Sequence, residues 1–69
     1  MQTKVLVKSN GSDMFAIYDT QSNTIINNDS TPVNYEGLYT VTDDGKFGLI
    51  TDKDKINECL ETYRILSDN

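Results

Sequence analysis

Apolar residues along this chain follow two different rhythms. After residue 52, Ile56, Cys59, Leu60, Tyr63 and Leu66 fall at i, i+3, i+4, i+7 and i+10, a spacing that places them in one stripe on a single helix face. Before residue 52 the apolar residues come in short groups separated by Gly, Asn, Asp and Pro, the pattern of short strands and turns. A helix of about 15 residues is marginal alone in water. The strands must therefore supply the surface that covers its stripe.

Two hairpins are legible. In the first, residues 3–8 and 13–19 flank Ser9-Asn10-Gly11-Ser12, and Asn-Gly supplies the positive φ angles of a two-residue type I′ turn. That turn sets Lys8 opposite Asp13, Val7 opposite Met14, Leu6 opposite Phe15 and Val5 opposite Ala16, so charge and apolar pairing agree with the turn chemistry. The second hairpin pairs residues 38–42 with 46–51 around Asp44-Gly45. A two-residue turn there predicts Asp43 against Lys46, Thr42 against Phe47, Thr40 against Leu49 and Tyr39 against Ile50. Phe15-Ala16-Ile17-Tyr18 and Phe47-Gly48-Leu49-Ile50 resemble each other 32 residues apart; a single such match does not establish a repeat.

Between the hairpins, residues 24–27 form a short β-like piece, and residues 27–32 form a polar loop ending in Pro32, which cannot donate to a central ladder. The helix is expected over residues 52–66, starting at Thr51 or Asp52, whose side-chain oxygen can accept from first-turn amides. Asp54 adds negative charge where the helix dipole favours it, and Glu61 and Arg64 are spaced to pair on its wet side. Ile65 lies about half a turn from the stripe and is expected at the surface, either as a stray apolar residue or as a partner contact. The expected fold is α+β: an antiparallel sheet of four to five short strands with one C-terminal helix packed on one face, all within one small domain spanning 1–69.

Composition limits what so small a domain can do. With 69 residues, one thin core only just offsets chain entropy. Leu, Ile, Val and Phe make up about a quarter of the chain, more than a disordered sequence carries. The single Cys59 cannot close an internal disulfide, and there is no His or second Cys to form a metal-ligand pattern. A reducing, cytoplasmic setting is expected, with no signal-peptide core and no stretch approaching the roughly 20 apolar residues that span a bilayer. Asn10-Gly11-Ser12 and Asn28-Asp29-Ser30 match the glycosylation pattern but suit turns in such a setting.

Catalysis is not expected. Without His the usual general base is missing, and Cys59 sits on the inward stripe, where a thiol behaves as a small inert hydrophobe. Asp52-Lys53-Asp54 begins like a calcium loop, yet Ile56 stands where a ligand belongs and Asn57 where the turn needs Gly. No metal site, cofactor site or catalytic residue is therefore assigned. No pair of glycines is spaced to cradle phosphate, and a net charge of −5 opposes direct nucleic-acid binding.

One stretch, Asp44-Gly45-Lys46-Phe47-Gly48-Leu49-Ile50-Thr51, resembles the DGKWGLI-type core of WG repeats, β-rich modules whose implied role is protein contact. The resemblance covers eight residues, has Phe47 where Trp is usual, and lacks tandem copies. It implies a β-hairpin at this position.

The charge is uneven. Residues 1–34 carry three acids and two bases, whereas residues 35–69 carry eight acids and four bases, leaving −4 on the second half. A solvated surface that aids solubility accounts for this simply. The sharper expectation is a small acidic, non-enzymatic protein-binding module in which Asp43, Asp44, Asp52, Asp54, Glu58, Glu61 and Ile65 meet another protein with a basic surface. A virus-encoded inhibitor, acting in the host cytoplasm as a nucleic-acid mimic, is one form of that idea; Lys46, Lys53 and Lys55 dilute the field it needs. The alternative is a structural or assembly component that self-associates through sheet edges or the helix. A monomer or a homodimer, without a membrane, fits either account.

Overall fold

The computed structural model describes the backbone of residues 1–67 and the side chains of residues 1–65. Five strands, β1 (Gln2–Ser9), β2 (Ser12–Asp19), β3 (Thr24–Ile26), β4 (Gly37–Val41) and β5 (Phe47–Ile50), precede one helix, α1 (Lys53–Ser67). They form a single antiparallel sheet in the order β3-β2-β1-β4-β5, the α+β architecture expected from the two periodicities. β1 is central: β2 returns along one side through the tight turn, and β4 docks on the other after the 27–36 segment, with the Glu36 amide donating to the Lys8 carbonyl at 2.7 Å.

The first hairpin has the expected geometry. Asn10 and Gly11 both take positive φ, 51° and 77°, and the ladder runs from Gln2 opposite Asp19 to Ser9 opposite Ser12 through every pair anticipated. The second hairpin differs by one residue. Tyr39 faces Leu49, Thr40 faces Gly48 and Val41 faces Phe47, instead of Tyr39 facing Ile50, Thr40 facing Leu49 and Thr42 facing Phe47. The cause is the turn. Of its central residues only Gly45 has positive φ, 81°. The Gly45 amide closes a turn on the Thr42 carbonyl at 2.9 Å, and the Thr42 amide donates to the Lys46 carbonyl at 2.6 Å. This is a three-residue connection, 43–45, with a left-handed glycine at its end, so Asp43 lies within the loop and does not oppose Lys46. Because strand side chains alternate, that single step decides which residues of β5 face the helix.

Pro32 avoids the sheet interior as expected, yet it is not idle. The loop folds back along the outer edge of β3: Ile26 bridges to Pro32, and the Val33 amide donates to the Ile25 carbonyl at 2.9 Å. That exposed edge is thereby covered by the chain itself.

The core lies between one face of the sheet and α1. Val5, Val7, Ala16, Tyr18, Ile25 and Leu38 point inward from the strands, and Ile56 and Leu60 meet them from the helix, with Cys59 and Tyr63 half-buried at the margin. Tyr18 is wholly buried, and its hydroxyl donates to Asn23 Oδ1 at 2.6 Å. Its ring lies 6.2 Å from that of Tyr63 at a tilt of 49°, a favourable aromatic arrangement. Ile65 is exposed, as its phase requires; Leu66, the last residue of the predicted stripe, lies outside the described side chains. Asp52 is the N-cap: its Oδ1 accepts from the Asp54 amide at 2.9 Å and its carbonyl accepts from Ile56. The molecule measures 29 × 28 × 19 Å, and its short dimension matches one sheet plus one helix layer at about 10 Å each.

Candidate protein-contact surface

One helix covers one face of the sheet, and the other face is open from β2 to β5, with Ile26 of β3 buried at its far end. The strands were not written for that arrangement. An antiparallel sheet with one wet face ordinarily alternates apolar and polar residues, but here Val5-Leu6-Val7, Met14 to Tyr18 and Phe47 to Ile50 are apolar at both parities or nearly so. Leu6 lies opposite Phe15, and Tyr39 lies opposite Leu49. The β1–β4 register, which sets Val7 against Leu38, brings Leu6 level with Tyr39. An apolar row Phe15–Leu6–Tyr39–Leu49 therefore runs across four strands on the face away from α1, a span of about 14 Å at the usual strand spacing. Ile17 extends it on β2, and the Val41–Phe47 pair extends it at the far corner. Phe15 and Phe47 are each 66% exposed and Val41 62%.

Local contacts hold this face in shape. The Tyr39 hydroxyl donates to Asp13 Oδ1 at 2.6 Å, tying β4 to β2 over the intervening strand, and Asp13 raises the phenol's pKa by that hydrogen bond and by its charge. The Lys4 ammonium lies 5.1 Å from the centroid of the Phe15 ring, within cation–π range. A Cβ on Gly37 would come within 2.7 Å of Leu49 Cδ1 and 2.9 Å of the Ile50 carbonyl oxygen, so the glycine lets Leu49 lie down across β4. The charged residues of the strands on this side are Lys4, Lys8, Asp13 and Asp19. They cancel, so the entire net charge of −5 resides elsewhere on the chain.

The acidic residues singled out from the sequence are all exposed, but they do not converge. Asp43 and Asp44 sit in the β4–β5 loop, and Asp52 and Asp54 at the start of α1, beyond opposite ends of β5, a separation of at least about 14 Å along the strand. Glu58 and Glu61 lie farther along α1. Three of the six have structural work. Asp44 accepts from the Thr42 hydroxyl and from the Lys46 amide at 3.3 Å, which holds its carboxyl below the usual value. Asp52 caps the helix, and Glu61 pairs with Arg64 at 2.7 Å. Ile65, exposed on α1, belongs to the helix layer and not to the apolar sheet face.

Elsewhere the chemistry is sparse. A cleft of about 270 Å³ opens between the 33–36 segment and the first turns of α1, and its one carboxylate, Glu36, accepts from the Gly11 amide at 3.0 Å and so braces the first turn. The Cys59 thiol is half-buried and donates to Thr40 Oγ1 at 3.8 Å. Among the described residues, no group of three or more Cys, Asp or Glu side chains is placed to hold a metal ion, and no helix is long and apolar enough to cross a membrane.

One helix covers only one face of a sheet, so strands that are apolar at both parities leave one set of side chains uncovered. The usable signal was the missing alternation in β1, β2 and β5. No protein-family model, no curated protein and no solved structure matches this chain. The stretch resembling WG repeats occupies the β4–β5 loop and β5, and it contributes Phe47 and Leu49 to the open face.

Proposed function

We propose that this protein is a small non-enzymatic protein-contact module that works through the open face of its sheet. The observation that carries the reading is the apolar row Phe15–Leu6–Tyr39–Leu49 with Val41 and Phe47 beside it, two-thirds exposed at both phenylalanines. Single exposed apolar residues are ordinary. A contiguous set on one flat face marks a surface that meets something. Each phenylalanine fully buried by a partner contributes about 1.5–3 kcal/mol, which in a domain this small is comparable with a sizeable part of its folding stability.

The non-enzymatic part of the proposal follows from side-chain chemistry. The chain has no His, its thiol lies under the helix, and three of its six most suggestive carboxylates are engaged in a turn, a cap and an ion pair. The cytoplasm suits a protein with one unpaired, half-buried thiol. The acidic residues serve solubility in this reading. A virus-encoded inhibitor that occludes a basic groove is the second reading, favoured by a net charge of −5 to which the four charged strand residues of the open face contribute nothing.

Site-specific photocrosslinking tests the proposal. A photoreactive phenylalanine analogue at position 47 or 15, in the cell that makes the protein, is expected to give discrete crosslinked species. The same group at Glu58 is expected to give few. Equal yields from all three positions, or crosslinks from Glu58 alone, would remove the sheet face as the preferred contact and point to the helix side.

A further inference from the structure

We propose that the occupant of the open sheet face is a second copy of this chain, two sheets packing face to face into a homodimer with the helices on the outside. The inference rests on the reading of that face as the contact surface and adds the identity of what covers it.

Charge selects the partner. Two copies carrying −5 each repel wherever their acidic surfaces meet. On the sheet face two copies can approach without opposing net charge, since Lys4 and Lys8 on β1 balance Asp13 and Asp19 on β2. Both signs lie on adjacent strands, so a twofold arrangement, in which residue i meets j and j meets i, can set lysines of one copy near aspartates of the other. Stacked sheets lie about 10 Å apart with a helix layer about 10 Å beyond each. The helix layers of such a dimer, each with three acids balanced by three bases, are then about 30 Å apart, several times the screening length of about 8 Å at physiological salt. A strongly basic or acidic partner would gain no electrostatic attraction from a face of zero net charge.

Size and topology agree. The 25 residues of β1, β2, β4 and β5, at about 4.8 Å between strands and about 3.4 Å per residue, give a flat footprint near 400 Å². Two such faces remove at least about 800 Å² from water before side-chain relief is counted, approaching the small end of specific interfaces at about 1,000–1,200 Å². The expected dimer is therefore concentration-dependent. Edge-to-edge pairing is the poorer route to self-association, because the 31–33 segment already lies along the outer edge of β3 and β5 is only four residues long.

Sedimentation equilibrium of the purified protein, from low-micromolar to millimolar concentration, tests this directly. The wild-type mass is expected to climb from one chain to two and stop there. Phe15→Lys/Phe47→Lys, which alters two side chains outside the core and adds two positive charges to each face, is expected to dissociate at least about tenfold more readily, as loss of buried aromatic contacts does. Phe15→Thr/Phe47→Thr, which keeps strand-favouring residues, gives the same direction if the lysines perturb the fold. Wild-type protein that stays monomeric throughout overturns the second copy; crosslinks from position 47 to a different protein would then show that the face still serves as a contact, and their absence would sink that reading too. A dimer equally tight in both double variants overturns the sheet face as the dimer interface.

Discussion

Tyr39 and Asp13 lie on strands that are not neighbours, yet the Tyr39 hydroxyl donates to Asp13 Oδ1 at 2.6 Å across β1. The register had placed Asp13 opposite Lys8, and its carboxylate takes the phenol as well as facing the lysine. Ionising Tyr39 would lose the donor and set two negative charges together, so its pKa rises above the ordinary 10.0. A group raised by folding supports the folded state below its unfolded pKa, near 10, and that support is lost as pH rises through the folded value. Asp13→Ala should bring the Tyr39 titration back toward 10 in an NMR pH series. An unshifted Tyr39 curve would mean that the bond does not persist in solution.

The other three tyrosines share the direction for another reason. Burial raises Tyr18, Tyr35 and Tyr63, because the ionised phenolate is disfavoured away from water. The protein should therefore lose stability steadily above about pH 10, and ultraviolet absorbance of phenolate should rise together with unfolding. Complete tyrosine ionisation in a chain that keeps its native circular dichroism would contradict the burial of Tyr18.

Leu60 and Ile65 separate the covered face of α1 from its wet one, at 5% and 57% exposure. Leu60→Ala is expected to cost about 2–5 kcal/mol, a large share of the roughly 3–10 kcal/mol a domain of this length possesses. Ile65→Ala should stay within about 0.5 kcal/mol. Urea denaturation of both variants checks the pair, and similar midpoints would show that the helix is rotated from the phase described.

At Gly37 the absent side chain is what Leu49 occupies. Gly37→Ala forces a methyl against Leu49 Cδ1 and the Ile50 carbonyl oxygen; the leucine can swing, but the backbone oxygen cannot without shifting β5. A loss of about 1–3 kcal/mol is expected, with the largest amide chemical-shift changes along β5. A stabilising Gly37→Ala would mean that β5 sits farther from β4 than it does here.

What was legible in the sequence was what short-range chemistry dictates. Asn10-Gly11 fixed a turn and, through it, eight paired positions; the stripe from Ile56 to Tyr63 fixed the helix and its buried side. Asp44-Gly45 looks equally informative, but aspartate before glycine serves a two-residue turn and a three-residue turn alike. Only the positive φ at Gly45 alone, with Asp44 outside the left-handed region, distinguishes them. The open face takes a second step: Phe15, Leu49 and Phe47 have the composition of core residues, and only the missing alternation in β1, β2 and β5, set against the single face one helix can cover, leaves them outside. The acidic residues had the converse problem, since proximity in sequence, as in Asp52 and Asp43, did not bring them together in space.

Salt distinguishes the two contact readings by sign. An acidic surface on a basic partner loses attraction as ions screen it, so its association weakens with salt. The sheet-face dimer brings together apolar area and balanced charge while each copy still carries −5, so added salt screens the residual repulsion between copies and leaves the apolar contact in place. Sedimentation in about 50 mM and about 500 mM salt, a range over which the screening length falls severalfold, should show equal or tighter self-association at the higher value. Glu58→Lys, on α1 and so on the other side of the sheet from the open face, should tighten the dimer at low salt by lowering the net charge and have little effect at high salt. A dimer that comes apart as salt rises would place its stability in charge pairs across the interface, and the apolar row of Phe15, Leu6, Tyr39 and Leu49 would then need another occupant.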